Sequence, residues 1–374
     1  MEMTQPLPLL GGLSAAQFMR RYWQKKPLLV RQAVPGLVPP IARAALFDLA
    51  ARDEVESRLI RHAGGRWQLR HGPLARRALP PLSQPGWTLL VQGVDLHHDG
   101  VHALLAPFRF LPEARLDDLM ISYASDGGGV GPHFDSYDVF LLQARGRRRW
   151  SIGRQRDLRL QPDVPLKILA HFEPEQQFVL EPGDMLYLPP RYAHDGVAIG
   201  GDCMTCSIGL RAPVADALAA DLLARIAEAQ ADVAVPGRRY ADPAQPAVAT
   251  PAAMPAALQA FARVAVREAL RDPSAIDRAL GESLTEPKPQ VYFDAQQVPG
   301  TIRAVRLDRR TRMLYDARHL YINGESFRAA GRDATLMRAL ADRRALGAHE
   351  LARASEGAQA LIADWCEAGW LHAE

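Results

Sequence analysis

The strongest constraint on how this chain can fold is a change of periodicity at Ala212-Pro213. Before it, short apolar runs such as "ESRLIRH", "RWQLRHG" and "WTLLVQGV" alternate with turn residues at brief intervals. Side chains point to opposite faces of a strand in turn, so short runs between turn signals build a β-barrel or sandwich. After it, "VADALAADLLARIAEAQADVA" places Val214, Leu218, Leu222 and Ile226 at four-residue steps, the stripe of an amphipathic helix.

Smaller signals divide the rest. A short helix from Leu13 to Trp23, a strand in "KPLLVRQAV" and a helix around Ile41 to Ala51 precede the strand-rich region. A Pro/Ala-rich connector leads to a second helical stretch from about Leu258 to Leu284. "TEPKPQ" marks another boundary, beyond which "RTRMLYDARHLYINGESF" reads as two strands joined by a turn, with Asn323-Gly324 as a hairpin signal. Helices in "ATLMRALADRR" and "AQALIADWCEAGWLH" follow. The expectation is a mixed α+β chain: a barrel over residues 1–212, a helical segment over 213–285 and a winged-helix-like domain over 286–374.

Composition fits such a protein and narrows its partners. A chain of 374 residues suits two or three domains, and 48% hydrophobic with 23% charged residues is ordinary globular composition. Net charge is +3, and only four of the 45 basic residues are lysine. Basic and acidic residues are interleaved, and residues 301–374 carry 12 basic against 10 acidic side chains, so the winged-helix-like end reads as an interaction or dimerisation element with no direct nucleic-acid contact. Three cysteines make no disulfide framework, which suits a reducing cytoplasm. No secretory signal pattern and no apolar window of about 18 residues is present, so a cytoplasmic, non-membrane protein is expected.

The chemistry is concentrated in "GGGVGPHFDSYDVFLLQARGRRRW", Gly127 to Trp150. Read as a strand, it puts His133, Asp135, Tyr137 and Val139 on one face. A third ligand comes from "LEPGDMLYLPPRYAHDGVAI", where a turn at Glu181 to Asp184 and a strand lead to His194. Two histidines and one carboxylate on one face leave about three open positions on an octahedral metal, the arrangement of non-haem Fe(II) oxygenases. Zinc is the competing metal and is more usually tetrahedral with one open site. Such an oxygenase commonly draws electrons from 2-oxoglutarate, whose far carboxylate needs a cation. In "GRRRWSIG", Arg148 shares the inward face of Trp150 and Ile152, whereas Arg147 and Arg149 point outward, so Arg148 is the expected anchor.

At these residues the sequence resembles the JmjC-type ribosomal oxygenases of the cupin superfamily, and within them the bacterial branch that hydroxylates an arginine. The resemblance is carried by "FMRRYWQKKPLLVR", "DDLMISYASDGGGVGPHFDSYDVFLLQARGRRRWSIG", "LEPGDMLYLPPRYAHDG" and "CSIGLRAP". It implies a JmjC/cupin double-stranded β-helix over residues 1–212, with its core motif region at 95–212, a helical homodimerisation segment over 213–285 and a winged-helix-like C-terminal domain. It implies catalytic Fe(II) on His133, Asp135 and His194, 2-oxoglutarate on Arg148 near Ser122 and Ser207, and O2 as second cosubstrate. The implied substrate is an arginine of the large-subunit ribosomal protein L-sixteen, hydroxylated at its β-carbon. A cationic side chain wants aromatic and acidic neighbours, for which Tyr137 and Asp126 are the candidates, with Asp118 and Asp138 as further acids.

Other readings of the same residues are a silent metal-binding cupin acting as a ribosomal adaptor, and a histidyl hydroxylase or lysyl demethylase on the same fold. Cys203 and Cys206 form a C-x-x-C, but odd spacing in a strand sends them to opposite faces, so they read as structural. His171 and His97-His98 fall in loops and read as surface residues.

Overall fold

Turn residues cut the first part of the chain into the strands β1 (Leu28–Val30), β2 (Ser57–Ala63), β3 (Arg66–His71), β4 (Trp87–Val91), β5 (Leu116–Ala124), β6 (Val139–Arg154), β7 (Gln176–Leu180), β8 (Met185–Leu188) and β9 (Tyr192–Leu210). The structure is a computed structural model and describes residues 2–231, 238–298, 300–328 and 330–374. The chain forms two compact units, Met1–Ala212 and Pro213–Glu374. In the first unit the strands form one sheet in the order β1-β8-β6-β9-β5-β4-β2-β3, with β7 paired to β6.

The antiparallel pair β6 and β9 is its spine, running from Val139↔Gly209 to Arg154↔Tyr192. Its register shifts between Gln143 and Arg147. There Gly146, Gly200 and Gly201 take φ of 63°, 77° and 72°, left-handed conformations that glycine adopts without steric cost. A Cβ at Gly146 would also lie 2.7 Å from the carbonyl oxygen of Asp202. The bend divides the labour of β6: Val139 to Leu142 pair with β8, and Arg148 to Ile152 pair with β7.

Alternation gives the sheet two distinct faces. Leu119, Ile121 and Tyr123 of β5 join Phe140, Tyr187 and Trp87 in the main core. That core is covered by α1 (Ala15–Arg21) and α2 (Arg43–Leu49), which precede the short α3 (Asp99–Ala103). A capping box between Ser14 and Gln17 starts α1. Phe18 of α1 is fully buried and meets Tyr187 edge-on at 4.9 Å, a burial worth roughly 2 kcal/mol. On the other face Val139, Leu141, Trp150, Ile152 and Leu186 form a second cluster. Cys203 and Cys206 are both buried and unbridged, in different apolar clusters.

The second unit opens with α4 (Ala215–Ala231), α5 (Ala256–Ala269) and α6 (Pro273–Thr285). The single helical stretch expected from Leu258 to Leu284 is thus two helices. Asp272 caps α6 by accepting from the Ser274 amide at 2.9 Å, and Pro273 has no N–H with which to continue α5. Beyond it come β10 (Val305–Leu307), β11 (Met313–Tyr315), β12 (His319–Ile322) and β13 (Glu325–Arg328), where two strands were expected between Arg310 and Phe327. Asp316 makes the additional turn, its carboxylate accepting from the amides of Arg318 and His319 at 2.6 and 2.7 Å. Asn323-Gly324 turns β12 into β13.

The unit closes with α7 (Gly331–Arg343), β14 (Ala345–Leu346), α8 (Ala348–Leu351), α9 (Glu356–Glu367) and β15 (Leu371–Ala373). The helices α7 to α9 pack with β14, β10 and β15 around Leu307, Met337, Leu340, Ile362 and Trp365. Asp308 ties this core together, accepting from Arg310 Nε at 2.8 Å and facing His372 Nε2 at 2.9 Å. Burial would raise its carboxyl, but the Arg310 side-chain and backbone donors outweigh burial and lower its pKa to about 2. The folded value lies below the unfolded one, so the contribution is complete above about pH 4 and is lost as pH falls through about 2. Asp308→Asn should destabilise the second unit by roughly 2 kcal/mol at pH 7 and by much less near pH 2. Hydrogen exchange at β10 and β15 of the full chain in urea, compared across that range, measures it.

Candidate metal centre

The two histidines are brought together by their backbones. His133 N donates to His194 O at 3.0 Å, and His194 N donates to His133 O at 2.8 Å, an isolated antiparallel bridge. The glycines before His133 make this approach feasible. A Cβ on Gly128 would sit 2.3 Å from Trp87 O, and one on Gly129 would sit 2.7 Å from Gly196 O. Contrary to the strand reading, residues 133–138 are a loop and β6 begins at Val139. Asp135 is held by its carbonyl, which accepts from Arg191 N at 2.7 Å. Backbone pinning, and not strand alternation, therefore makes His133 and Asp135 neighbours.

One ligand atom from each of His133, Asp135 and His194 lies within 4.8 Å of the others. His133 Nδ1 faces Gly131 O at 2.9 Å and His194 Nδ1 faces Tyr192 O at 3.0 Å. A carbonyl accepts only from a protonated nitrogen, so each ring donates from Nδ1 and turns Nε2 toward the cluster. His194 Nε2 lies 3.7 Å from Asp135 Oδ2. Burial, then His133, pushes the His194 pKa down to about 4, so its imidazole is neutral at pH 7. Two imidazoles and a carboxylate on an open face fit a divalent cation with free coordination positions.

This cluster lies in the wall of a cavity of about 520 Å³. Arg148 lines it with 3% of its surface exposed, while Arg147 and Arg149 are exposed as alternation requires. Its Nη1 donates to Gly196 O at 3.3 Å, whereas Nε and Nη2 are buried with no partner among the described residues. Those two nitrogens form one edge of the guanidinium, the edge that takes a carboxylate through two parallel hydrogen bonds. Ser122 and Ser207 line the same cavity and are nearly buried.

Tyr137 is 40% exposed at the cavity, and burial followed by the charges of Asp135 and Asp118 raises its pKa, keeping the phenol protonated. Asp126 does not line the cavity. It is exposed and accepts from Gly200 N at 2.7 Å, fastening its glycine-rich loop to the bend of β9. Asp138 is also elsewhere, fully buried under Tyr187 Oη at 2.6 Å and Gln24 Nε2 at 2.9 Å. Asp118 does line the cavity, on the same face of β5 as Met120 and Ser122, and Asp117 lines it as well. Strand alternation from Ser122 carries that signal. Arg58, Gln92 and Lys167 also line the cavity, and no pattern in the sequence marks them.

A double-stranded β-helix with a His-x-Asp…His cluster beside a buried arginine that has two donors unpartnered among the described residues defines the class of metal-dependent cupin oxygenases. Comparison with known proteins narrows this. Residues 103–218 match the model described as the JmjC domain, and residues 268–372 match the ROXA-like winged helix. The chain is 35% identical to the ribosomal protein uL16 3-hydroxylase of Escherichia coli, over 77% of this chain and 75% of that protein. It is 38% identical to a probable ribosomal oxygenase of Haemophilus influenzae, over 52% of this chain and 49% of the relative. The structure of YcfD, a ribosomal oxygenase from Escherichia coli in complex with cobalt and 2-oxoglutarate, superposes with a TM-score of 0.80 at 32% identity, covering 97% of this chain and 98% of that one. The chain belongs to the JmjC-domain ribosomal oxygenases.

If the three side chains form a metal site, His133→Ala and Asp135→Ala should each weaken Mn(II) binding more than about a hundredfold and change folding stability by less than about 1 kcal/mol. Calorimetric titration and thermal melts of the full chain check both. Metal retention in either variant would dissolve the assignment.

Proposed function

We propose that the protein is an Fe(II)- and 2-oxoglutarate-dependent hydroxylase of ribosomal protein uL16, the L-sixteen protein, acting on the β-carbon of an arginine. The observation that carries the reading is Arg148, a buried guanidinium with two donors unpartnered among the described residues, in the cavity that holds the His133, Asp135 and His194 cluster. Burying a guanidinium with two donors unmet costs several kcal/mol, and a silent metal-binding cupin has no use for that arrangement. The names of the uL16 hydroxylase and of the cobalt and 2-oxoglutarate complex support the substrate and cosubstrate.

In this reading His133, Asp135 and His194 hold the iron, and Arg148 takes the far carboxylate of 2-oxoglutarate along its Nε and Nη2 edge, with Ser122 and Ser207 beside it. Bound iron supplies the activation of O2, coupled to conversion of 2-oxoglutarate to succinate and CO2, that places one oxygen atom in a C–H bond. The protein's share is geometry. Val139, Leu141 and Trp150 keep the inner wall apolar, which limits competing water. Tyr137 and Asp118 offer an aromatic face and a carboxylate to the arginine.

Domain roles follow from the same reading. Residues 1–212 form the catalytic domain, 213–285 the dimerisation segment and 286–374 the winged-helix-like domain. A cytoplasmic homodimer without direct nucleic-acid contact is the form proposed. On α5 no side chain is buried, and Leu258, Val264 and Val266 are exposed on several sides of the helix, which supports contact with a second copy. Among the described residues no helix is long and apolar enough to cross a membrane. Sedimentation at micromolar concentration should give twice the chain mass; a monomer would remove the dimer.

The deciding experiment is mass spectrometry of uL16 after incubation with the protein, Fe(II), ascorbate and 2-oxoglutarate. One added oxygen on an arginine, absent without 2-oxoglutarate, is the expected result. Arg148→Ala should raise the KM for 2-oxoglutarate at least about tenfold, while Arg147→Ala leaves it within about twofold. Equal effects would take the anchor away from Arg148, and an unmodified uL16 would overturn the substrate.

A further inference from the structure

Asp118 owes its place in the cavity to an irregularity in β5. Leu116 pairs with Leu210 and Asp118 with Gly209, so the register shifts between them and leaves Asp117 as the extra residue. Such a bulge changes which face the following side chains meet. Leu116 lies in the main core together with Leu119, Ile121 and Tyr123, whereas Asp118, Met120 and Ser122 line the cavity.

The carboxylate is 3% exposed and is met from the neighbouring strand by Gln92. Gln92 Nε2 donates to Asp118 Oδ1 at 3.0 Å and to Oδ2 at 2.9 Å, so one nitrogen sits almost equally between the two oxygens. Gln92 follows β4 directly, and its amide N donates to Glu56 O at 2.9 Å, which fixes its backbone. A glutamine amide has two ends that differ chemically, and its Oε1 turned toward Asp118 would repel the carboxylate. Arg58 on β2 sets the choice, donating from Nη2 to Gln92 Oε1 at 3.2 Å. Arg58, Gln92 and Asp118 thus form a line of donors and acceptors across three neighbouring strands, all on the cavity face.

We infer that Gln92, oriented by Arg58, is the positioning residue that holds Asp118 as an aligned acceptor for the cationic side chain of the substrate. The inference rests on the proposed reading of the cavity as an arginine site. Alignment before binding lowers the ordering cost when a guanidinium arrives, so its loss falls on substrate binding more than on turnover. The amide also matters for specificity. A carboxylate held in place favours a cation over a neutral side chain of the same shape.

The test uses the full-length protein with purified uL16 and with an arginine-containing uL16 peptide, alongside the same peptide with citrulline, a neutral isostere, in place of arginine. Gln92→Leu removes the donor at similar volume. It should raise the KM for uL16 about tenfold with kcat within about twofold, and it should shrink the wild-type preference of binding for arginine over citrulline by a similar factor. Arg58→Met should act in the same direction and more weakly. The Kd of 2-oxoglutarate, measured by titrating the Mn(II)-loaded protein, should change less than about twofold, a readout that a general loss of structure would move. Asp118→Asn separates the two levels of the argument. If Asp118→Asn weakens uL16 binding and Gln92→Leu does not, the positioning role is overturned and the cavity reading stands. If Asp118→Asn is without effect, the arginine site itself is wrong and the role of Gln92 goes with it. Parallel losses in uL16 and 2-oxoglutarate affinity would make Gln92 a structural residue.

Discussion

The two backbone hydrogen bonds between His133 and His194 are the constraint on which the rest of the site depends. They join a loop to a strand nearly sixty residues away, and they place two imidazole rings 4.2 Å apart with their Nδ1 protons tied to carbonyls. Side-chain rotamers alone would not secure this. The loop reaches β9 because Gly128 and Gly129 present no Cβ to Trp87 and Gly196, so the glycines are part of the metal centre in a mechanical sense. Asp135 joins the cluster through the same device, its carbonyl fastened to Arg191.

Around that fixed point the cavity separates two kinds of charge. Arg148 brings a buried cation from β6, and Asp118 brings a nearly buried anion from β5. Each is unfavourable in an apolar wall and is made tolerable differently. Arg148 keeps two donors unpartnered among the described residues, which suits an acceptor supplied from outside. Asp118 is supported from within by Gln92. This asymmetry agrees with a site that is filled by a diacid at one end and visited by a basic side chain at the other.

The residues that were legible in the sequence are those governed by simple periodicity. Arg148 follows from its step to Trp150 and Ile152, a β-barrel or sandwich from the succession of turn signals and the winged helix from helices beside a hairpin, while the double-stranded β-helix rests on the family resemblance. The metal cluster was found by residue type and spacing although the strand assumed for His133 and Asp135 is a loop, because backbone bridging mimics the neighbourhood that a strand would give. Asp126 was misjudged: an acid in a glycine-rich loop beside the ligands has the right address, but its carboxylate serves the turn at Gly200. Gln92 and Arg58 carried no signal, since a lone glutamine at a strand end becomes meaningful only when the sheet order sets it beside Asp118. The break at Asp272-Pro273 and the turn at Asp316 were in plain view, and both follow from local hydrogen bonding that apolar periodicity overlooks.

The ladder between β6 and β9 has a further property. Arg148 stands opposite Ala198, and His194 stands opposite Ile152, so four residues of each strand, about 13 Å of backbone, separate the arginine from the histidine. Neither end can drift without breaking hydrogen bonds shared with β7 and the neighbouring strand. The sheet is therefore a gauge of fixed length. A flexible molecule that has to touch both ends is selected by how many methylene groups lie between its functional groups, a criterion of reach that is independent of how strongly either end binds.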